Sequence, residues 1–260
     1  MDSGLKEAAR HRPEQFTDAE WRLRLELAAC YRLVDWFGWT ELVFNHITAR
    51  VPGPRTEFLI NPFGLHYGEI TASNLVRINL AGEVLDGSPY EVNRAGFVIH
   101  SAIHAARDDA HCIMHTHTTA GMAVSCKQEG LRNDNFYSIM LNGRIAYHDF
   151  EGTVTDLDEQ PRLVANLGRR NLLILRNHGL LAIARDISQM FVSYWTLERA
   201  CQIQMATDSM SGPNQGLPRE VIEGSPARNK QANRPKNEDG SSGIFSAMLR
   251  KAGIRYEDIV

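Results

Sequence analysis

Two histidines at the end of an apolar run are the residues of this sequence best suited to chemistry. His115 and His117 lie in the stretch CIMHTHTTAG, residues 112–121. The apolar run predicts a buried β-strand, and residues i and i+2 of a strand point to the same face. Two adjacent imidazoles at a strand end are a suitable pair of metal ligands, although the pattern alone fits hydrogen-bonded strand-end histidines equally well.

A third ligand would have to come from another part of the chain. A catalytic dication is typically held by three protein ligands with one position open for substrate. His178 meets this need, because it follows the apolar run NLLILRN and precedes Gly179, where a tight turn is expected. His100 and His104 form a competing pair on one face of a predicted helix. They lack the intervening glutamate of an HExxH site and have apolar neighbours, so we interpret them as structural residues or as residues that contact the ligands.

The elements that must position these histidines alternate between helices and short strands. The first long helix is predicted to start at Thr17, with Glu20 closing a capping box and Phe16 packing on Trp21, and to end at Gly38. Strands are predicted over 42–51, 57–60, 75–80, 83–85, 111–117, 144–150, 171–177 and 179–184, and helices over 95–107, 119–126, 157–168 and 187–207.

The chain divides by composition into three segments. Residues 1–208 are predicted to form one globular domain. Residues 209–242 are rich in Gly, Pro, Ser and Asn, which predicts a flexible linker. Residues 243–260 contain enough apolar side chains to dock as a short C-terminal helix, which we expect on a neighbouring subunit.

Charge and hydropathy exclude several classes of partner. The formal net charge of the 260 residues is -3, so no basic field favours nucleic acid or an anionic membrane. The apolar runs are far shorter than the ~20 residues of a membrane span, and the polar N-terminus lacks the apolar segment of a signal peptide. The four cysteines are scattered without a CxxC motif, as expected of free buried thiols. We therefore expect a cytoplasmic protein with a small-molecule substrate.

Three segments resemble the class II aldolase/adducin family, and its adducin-type branch more than its sugar-phosphate aldolases: NRAGFVIHSAIHAARDDAHCIMHTHTTAGMAVS, GRIAYHDFEGT and LLILRNHGLLA. The similarity covers about residues 18–205. It implies a three-layer α/β/α fold, with a central mixed, largely antiparallel sheet flanked by helices. It also implies that His115, His117 and His178 bind one divalent metal ion per chain, zinc first, with manganese, iron or cobalt as alternatives.

One residue expected from this resemblance is missing. The family's aldolases carry a glutamate nineteen residues before the first metal histidine, as an acid/base group and sometimes a fourth ligand, and that position is Gly96 here. No carboxylate can act from Gly96. The neighbouring Arg94 could instead bind a carboxylate of the substrate in a bidentate manner, or could be a surface arginine.

The phosphate pocket of the family's aldolases is also altered. Their Gly-Asn pair reads Phe44-Asn45, and their Pro-Ser-Gly reads Pro62-Phe63-Gly64. Asn45 and Gly64 therefore remain as candidate substrate-binding residues, whereas the two phenylalanines oppose a phosphorylated substrate. Tyr137 matches, by approximate spacing, a family tyrosine that donates a proton in the adjoining subunit's site. The resemblance thus implies a homo-oligomer, which we expect to be a tetramer.

The expected activity follows from the metal and the missing acid. A dication held by three neutral imidazoles is a Lewis acid, which suits carbon–carbon cleavage of a small, non-phosphorylated hydroxy acid, oxo acid or hydroxycarbonyl compound, by decarboxylation or an aldol-type step. Two alternatives stay open. The chain could be a non-catalytic scaffold or binding protein like an adducin head, or a non-haem iron oxygenase on the same fold.

Overall fold

The computed structural model describes residues 3–53, 55–152, 157–232 and 243–260. Seven strands form one sheet in the order β3-β2-β1-β4-β7-β6-β5. Every neighbouring pair is antiparallel except β5 and β6, which are parallel. The strands are β1 (His46–Arg50), β2 (Glu57–Ile60), β3 (Val76–Asn79), β4 (Cys112–Thr116), β5 (Ile145–His148), β6 (Leu172–Leu175) and β7 (Gly179–Ala184).

Helices cover both faces of the sheet, as the resemblance implied. The described residues form α1 (Ser3–Ala8), α2 (Asp18–Trp36), α3 (Arg94–Ala106), α4 (Thr119–Ser125), α5 (Phe136–Leu141), α6 (Gln160–Leu167), α7 (Ile187–Asp208), α8 (Arg219–Ala232) and α9 (Ile244–Ala252). Short 3-10 helices lie at Ala9–His11, Tyr67–Glu69, Leu157–Glu159 and Tyr256–Ile259.

The alternation of side chains along the strands produces two separate cores. In β4, Cys112 and Met114 pack with α2, α4 and α7 in the larger core. Ile113, which points to the opposite face, packs with α3 and α6 in the smaller one. The prediction of a three-layer α/β/α fold with a mixed, largely antiparallel sheet is therefore confirmed.

The start of α2 follows its sequence signals only in part. Thr17 Oγ1 accepts a hydrogen bond from the Glu20 backbone N–H, and the rings of Phe16 and Trp21 stack with centroids 5.7 Å apart. The Glu20 carboxylate does not close the predicted capping box, because it pairs with the buried Arg24 guanidinium at 2.9 Å. The end of the helix is as predicted: its last residue is Trp36, Phe37 is the C-cap, and Gly38 follows in the left-handed conformation with φ of 68°.

The strand predicted over 42–51 begins later, at His46. Leu42 and Asn45 have positive φ values of 50° and 70°, which no extended strand contains, so the chain turns there before β1 starts. The strand predicted over 83–85 is reduced to one isolated bridge between Val84 and Ile78.

The segment predicted as a flexible linker contains α8. This helix is held against α5 by polar contacts: Asn142 Nδ2 donates to Ile222 O at 2.9 Å and to Ser225 Oγ at 2.8 Å. Composition missed it because its anchoring depends on an asparagine of another element more than on its own apolar residues. Residues 219–232 are therefore helical where composition indicated a linker, and residues 233–242 lie outside the described part of the chain.

The C-terminal segment docks on its own chain. Phe245 and Leu249 of α9 are buried in the larger core, together with Tyr256 and Ile259. The Ala72 N–H donates to Ile259 O at 2.7 Å. Docking on a neighbouring subunit is therefore not needed to bury these residues. No helix among the described residues is long and apolar enough to cross a membrane.

Candidate metal centre

Two neighbouring strands bring the three predicted histidines together at one end of the sheet. His115 lies in β4, and His117 follows its last residue. His178 lies in the three-residue loop between β6 and β7, where Leu175 pairs with Gly179. Since β4 and β7 are adjacent, with Thr116 opposite Leu180, the end of one strand meets the start of the other.

The three imidazoles converge closely enough to hold one ion. One nitrogen of each ring lies within 4.8 Å of the others, and among the described residues this is the one group of three or more His, Cys, Asp or Glu with such geometry. His115 Nε2 and His117 Nε2 are 2.8 Å apart. The ring centroids are 4.7 to 4.9 Å apart.

A backbone carbonyl sets the protonation state that suits a metal ligand. His115 Nδ1 lies 3.0 Å from Leu180 O, and a carbonyl only accepts, so Nδ1 carries the proton. Nε2 then presents its lone pair toward His117 Nε2. A hydrogen bond from the ring nitrogen that does not bind the metal fixes the tautomer of metal-bound histidines in this way. The donor set therefore fits a divalent cation.

Burial keeps these imidazoles neutral, which metal binding requires. Burial first, and then the neighbouring His117, lower the pKa of His178 to about 4. Burial also lowers the pKa of His117, against which the Glu41 carboxylate acts in the opposite direction. The pKa of His115 lies well below its ordinary value, because of burial first and then the neighbouring histidines.

Gly179 is needed for this convergence. A Cβ at this position would lie 2.7 Å from Thr116 O, 3.1 Å from His117 Cδ2 and 3.3 Å from His115 Cε1. Any side chain would push the β6–β7 loop away from β4. Asn177, with φ of 57°, gives the loop its left-handed turn.

A second layer of histidines lies beneath the centre, between β1 and α3. Thr48 Oγ1 is 2.8 Å from both His100 Nδ1 and His104 Nε2. His104 Nδ1 is 2.9 Å from Ala110 O. His104 is thus hydrogen-bonded at both nitrogens, as expected of a structural residue. His46 lies opposite His115 in the pairing of β1 with β4, with ring centroids 5.2 Å apart.

The candidate substrate-binding residues are distributed around the same end of the sheet. Asn45 is buried and directly precedes His46, and its side-chain oxygen and nitrogen have no hydrogen-bond partner among the described residues. Gly64 is exposed in the loop after β2, which runs antiparallel to β1 and so returns the chain toward Asn45. Arg94 begins α3, but its side chain lies outside the described part of the structure.

Tyr137 is not brought to the histidines of its own chain. Its ring packs on Trp195 of α7, with centroids 5.5 Å apart, and on Phe136. Within the described residues it makes no ring contact or hydrogen bond with the three histidines. Trp195 thus anchors Tyr137, a residue of α5, to α7 within its own chain.

The sequence undervalued His46 and His100. His100 was interpreted as structural or as a neighbour of the ligands, and His46 was noted only as a residue beside Asn45 that could approach the site. Each is buried beside the centre with an unpaired ring nitrogen. The signal available in the sequence was the i, i+2 spacing of His46 and Thr48, which places both side chains on the strand face that α3 covers.

The chain belongs to the class II aldolase and adducin N-terminal domain family, whose model matches residues 25–205. It is 42% identical over 240 residues to alpha-adducin of Rattus norvegicus, covering 88% of this chain and 32% of that protein. A solved aldolase II superfamily protein from Pseudomonas syringae superposes with a TM-score of 0.86 at 41% identity, covering 94% of this chain and 98% of that one. An L-fuculose 1-phosphate aldolase from Glaciozyma antarctica superposes with a TM-score of 0.77 at 28% identity, covering 96% of this chain and 98% of that one.

Proposed function

We propose that this protein is a divalent-metal-dependent lyase that cleaves a carbon–carbon bond in a small, non-phosphorylated hydroxy acid, oxo acid or hydroxycarbonyl compound. The observation that carries the proposal is the convergence of His115, His117 and His178, with the His115 lone pair oriented by Leu180 O. The similarity to an L-fuculose 1-phosphate aldolase supports the reaction class. Zinc is the metal we expect, since three neutral nitrogen ligands suit it.

The bound metal would supply Lewis-acid stabilisation of the negative charge that develops on a substrate oxygen when the bond breaks. The residues of the chain contribute binding and orientation. Three neutral imidazoles leave the charge of the ion undiminished, and burial of His115 keeps water from that side of the site. Asn45 offers an unpaired amide to the substrate. Gly96 offers no acid/base group, which favours decarboxylation over proton abstraction from a hydroxyl.

The test compares metal content in matched variants. We expect one zinc per chain in the parent and in His104→Ala, and none in His117→Ala, as measured by elemental analysis after dialysis. The parent and His117→Ala are then incubated with 2-oxo acids, 2-hydroxy acids and hydroxyketones, and the products are analysed by NMR. We expect cleavage by the parent and none by His117→Ala. Retention of zinc in His117→Ala with loss in His104→Ala would move the site to α3. Consumption of oxygen with iron would replace the lyase by an oxygenase.

The substrate is proposed to lack a phosphate. Phe44 and Phe63 present partly exposed rings beside Asn45 and Gly64, where a phosphate would need amide or hydroxyl donors. Efficient cleavage of a ketose 1-phosphate in the same NMR assay would contradict this part of the proposal.

A closed homo-oligomer, a tetramer, is proposed for the assembly. The apolar rim of the centre is exposed in the single chain: Phe150 is 53% exposed with its ring 6.2 Å from that of His178, and Leu42 is 72% exposed. A second copy covering this rim would also bring a foreign Tyr137 within reach as proton donor. Light scattering at micromolar concentration tests the assembly, and a monomer would remove this role of Tyr137.

A scaffold function is the second candidate, because alpha-adducin is 42% identical over 88% of this chain. A chain that binds no metal and cleaves none of the compounds, yet assembles normally, would favour it.

A further inference from the structure

The space beside Gly96 is filled by an imidazole. A Cβ at this position would lie 2.5 Å from His46 Nδ1 and 2.6 Å from both Cγ and Cε1, closer than any real Cβ contact. The three similar distances mean that the ring of His46 lies flat over the glycine. A side chain at 96 and the present position of His46 are therefore mutually exclusive.

His46 is buried beside the centre with its polar atoms unpaired. Its exposed fraction is 5%, and neither ring nitrogen makes a well-formed hydrogen bond with another described residue. Buried polar groups are nearly always hydrogen-bonded, and leaving one unpaired is costly. An imidazole carries at least one N–H in either protonation state, so this buried ring has an N–H that needs an acceptor.

Hydrogen bonds fix the tautomers of His100 and His104, which lie beneath His46. Because His104 Nδ1 donates to Ala110 O, its Nε2 accepts from the Thr48 hydroxyl. That hydroxyl has one hydrogen, so its oxygen accepts from His100 Nδ1. His100 Nε2 is then a lone pair, unpaired among the described residues, in a ring whose centroid is 4.2 Å from that of His46.

Negative side-chain charge is scarce around this ring. The elements packed against His46 contribute His100, His115 and Gly96, and none of these is a carboxylate. Glu41, whose charge acts on His117, is an exposed residue. The pocket thus combines an N–H donor with neighbours that, among the described residues, include no buried carboxylate, which suits an anionic ligand.

We infer that His46 donates a hydrogen bond to a carboxylate or enolate oxygen of the substrate, and that the His46–Gly96 pair makes the centre selective for 2-oxo or 2-hydroxy acids over neutral hydroxyketones. This inference rests on the proposed metal-dependent lyase. His46 is a specificity-determining residue in this role. At the place where a carboxylate at position 96 would bring negative charge, His46 supplies an N–H donor instead.

The experiment measures binding and needs no turnover. Oxalate serves as the anionic probe and dihydroxyacetone as the neutral one, each titrated calorimetrically into the zinc-loaded full chain. His46→Leu should weaken oxalate binding about 10- to 100-fold, the effect of losing a hydrogen bond to a charged group. Its dihydroxyacetone affinity and its zinc content of one per chain should stay unchanged.

Two further variants separate recognition from structure. His46→Gln, which keeps an N–H donor, should recover most of the oxalate affinity. His46→Ala combined with Gly96→Glu places a carboxylate where the imidazole lay, and should reverse the preference in favour of dihydroxyacetone. His111→Gln, at the opposite end of β4, is the matched control and should bind both probes as the parent does.

The outcomes distinguish this inference from the function on which it rests. Equal oxalate binding by the parent, His46→Leu and His46→Gln would overturn the role of His46 while leaving a zinc-binding lyase intact. Loss of zinc in His46→Leu would also overturn the role of His46 in substrate recognition, because it would show that His46 instead helps to hold the metal. A parent chain that holds no zinc would overturn the proposed function and this inference together.

Discussion

Two clusters of buried polar side chains lie on opposite faces of the sheet, and they differ in how their hydrogen bonds are satisfied. The first surrounds Arg24, whose guanidinium bonds Glu20 at 2.9 Å, Asp86 at 2.8 Å and Leu75 O at 2.7 Å. It also lies 3.9 Å from the ring centroid of Phe16. The second is the histidine centre, where His46, His100 and Asn45 retain unpaired atoms.

The difference separates stabilising polar groups from those available to a ligand. Arg24 is 0% exposed, and its partners come from helix α2 and from the segment that flanks β3, so it joins distant parts of the chain. In the histidine centre, side-chain atoms of His46, His100 and Asn45 have no partner among the described residues, so a ligand that enters the site can pair with them. The two clusters should therefore respond in opposite ways to substitution.

Arg24→Ala should have the largest effect on stability. It leaves the buried Glu20 and the partly buried Asp86 with one partner fewer, and breaking a buried ion pair from one side typically costs about 3–5 kcal/mol. Urea unfolding should show this decrease in the free energy of unfolding. Arg22→Ala, on the exposed side of the same helix, should change it by less than about 0.5 kcal/mol. Equal effects would mean that the Arg24 cluster contributes no more than a surface charge.

Gly96→Ala should have an intermediate effect whose sign depends on His46. In a helix alone the substitution would stabilise by about 1 kcal/mol, but here the new Cβ overlaps the His46 ring and overpacking costs about 1–3 kcal/mol. We expect net destabilisation in the parent and stabilisation in the His46→Ala background. A double-mutant cycle by urea unfolding measures the coupling. Additive effects would mean that the ring moves away without cost.

The smallest expected effect is on the slope with which the free energy of unfolding of the metal-free chain changes with pH. The pKa of His178 is about 4 in the fold and about 6.5 when unfolded, so between these values the unfolded chain binds the extra proton. Stability should therefore be constant above pH ~7 and fall as the pH decreases from about 6.5 to 4, by up to ~1.4 kcal/mol per pH unit for each such histidine. His178→Gln should unfold with a shallower slope in the presence of a chelator. Parallel curves would show that His178 titrates normally.

Much of the fold could be predicted because its signals are local. The capping threonine of α2, the i, i+2 spacing of His115 and His117, and the turn after β6 each act over a few residues. The late start of β1 was missed, since the positive φ of Leu42 depends on a turn that the apolar pattern conceals. α8 was missed because Asn142, far away in sequence, supplies its contacts.

The candidate site was predictable only where residue type was sufficient. Three histidines indicated possible metal ligands, and Gly96 indicated that the acid/base glutamate of the family's aldolases is missing. That His46 occupies the space beside Gly96 depends on the packing of α3 on β1, between positions fifty residues apart, which no spacing rule expresses. The tautomers of His100 and His104 likewise follow from a threonine hydroxyl whose position only the fold determines.

Strand β4 separates two polar anchors that differ by one position along the chain. His115 faces the centre, whereas Thr116 faces the other core and hydrogen-bonds the Tyr194 hydroxyl. Deleting a single residue ahead of them would exchange the two faces, turning both imidazoles into the core beneath α7 and the threonine into the site. Insertions and deletions should thus be tolerated ahead of this strand and should disrupt the centre anywhere from Cys112 to His117, so that the centre depends on the length of β4 as much as on its histidines.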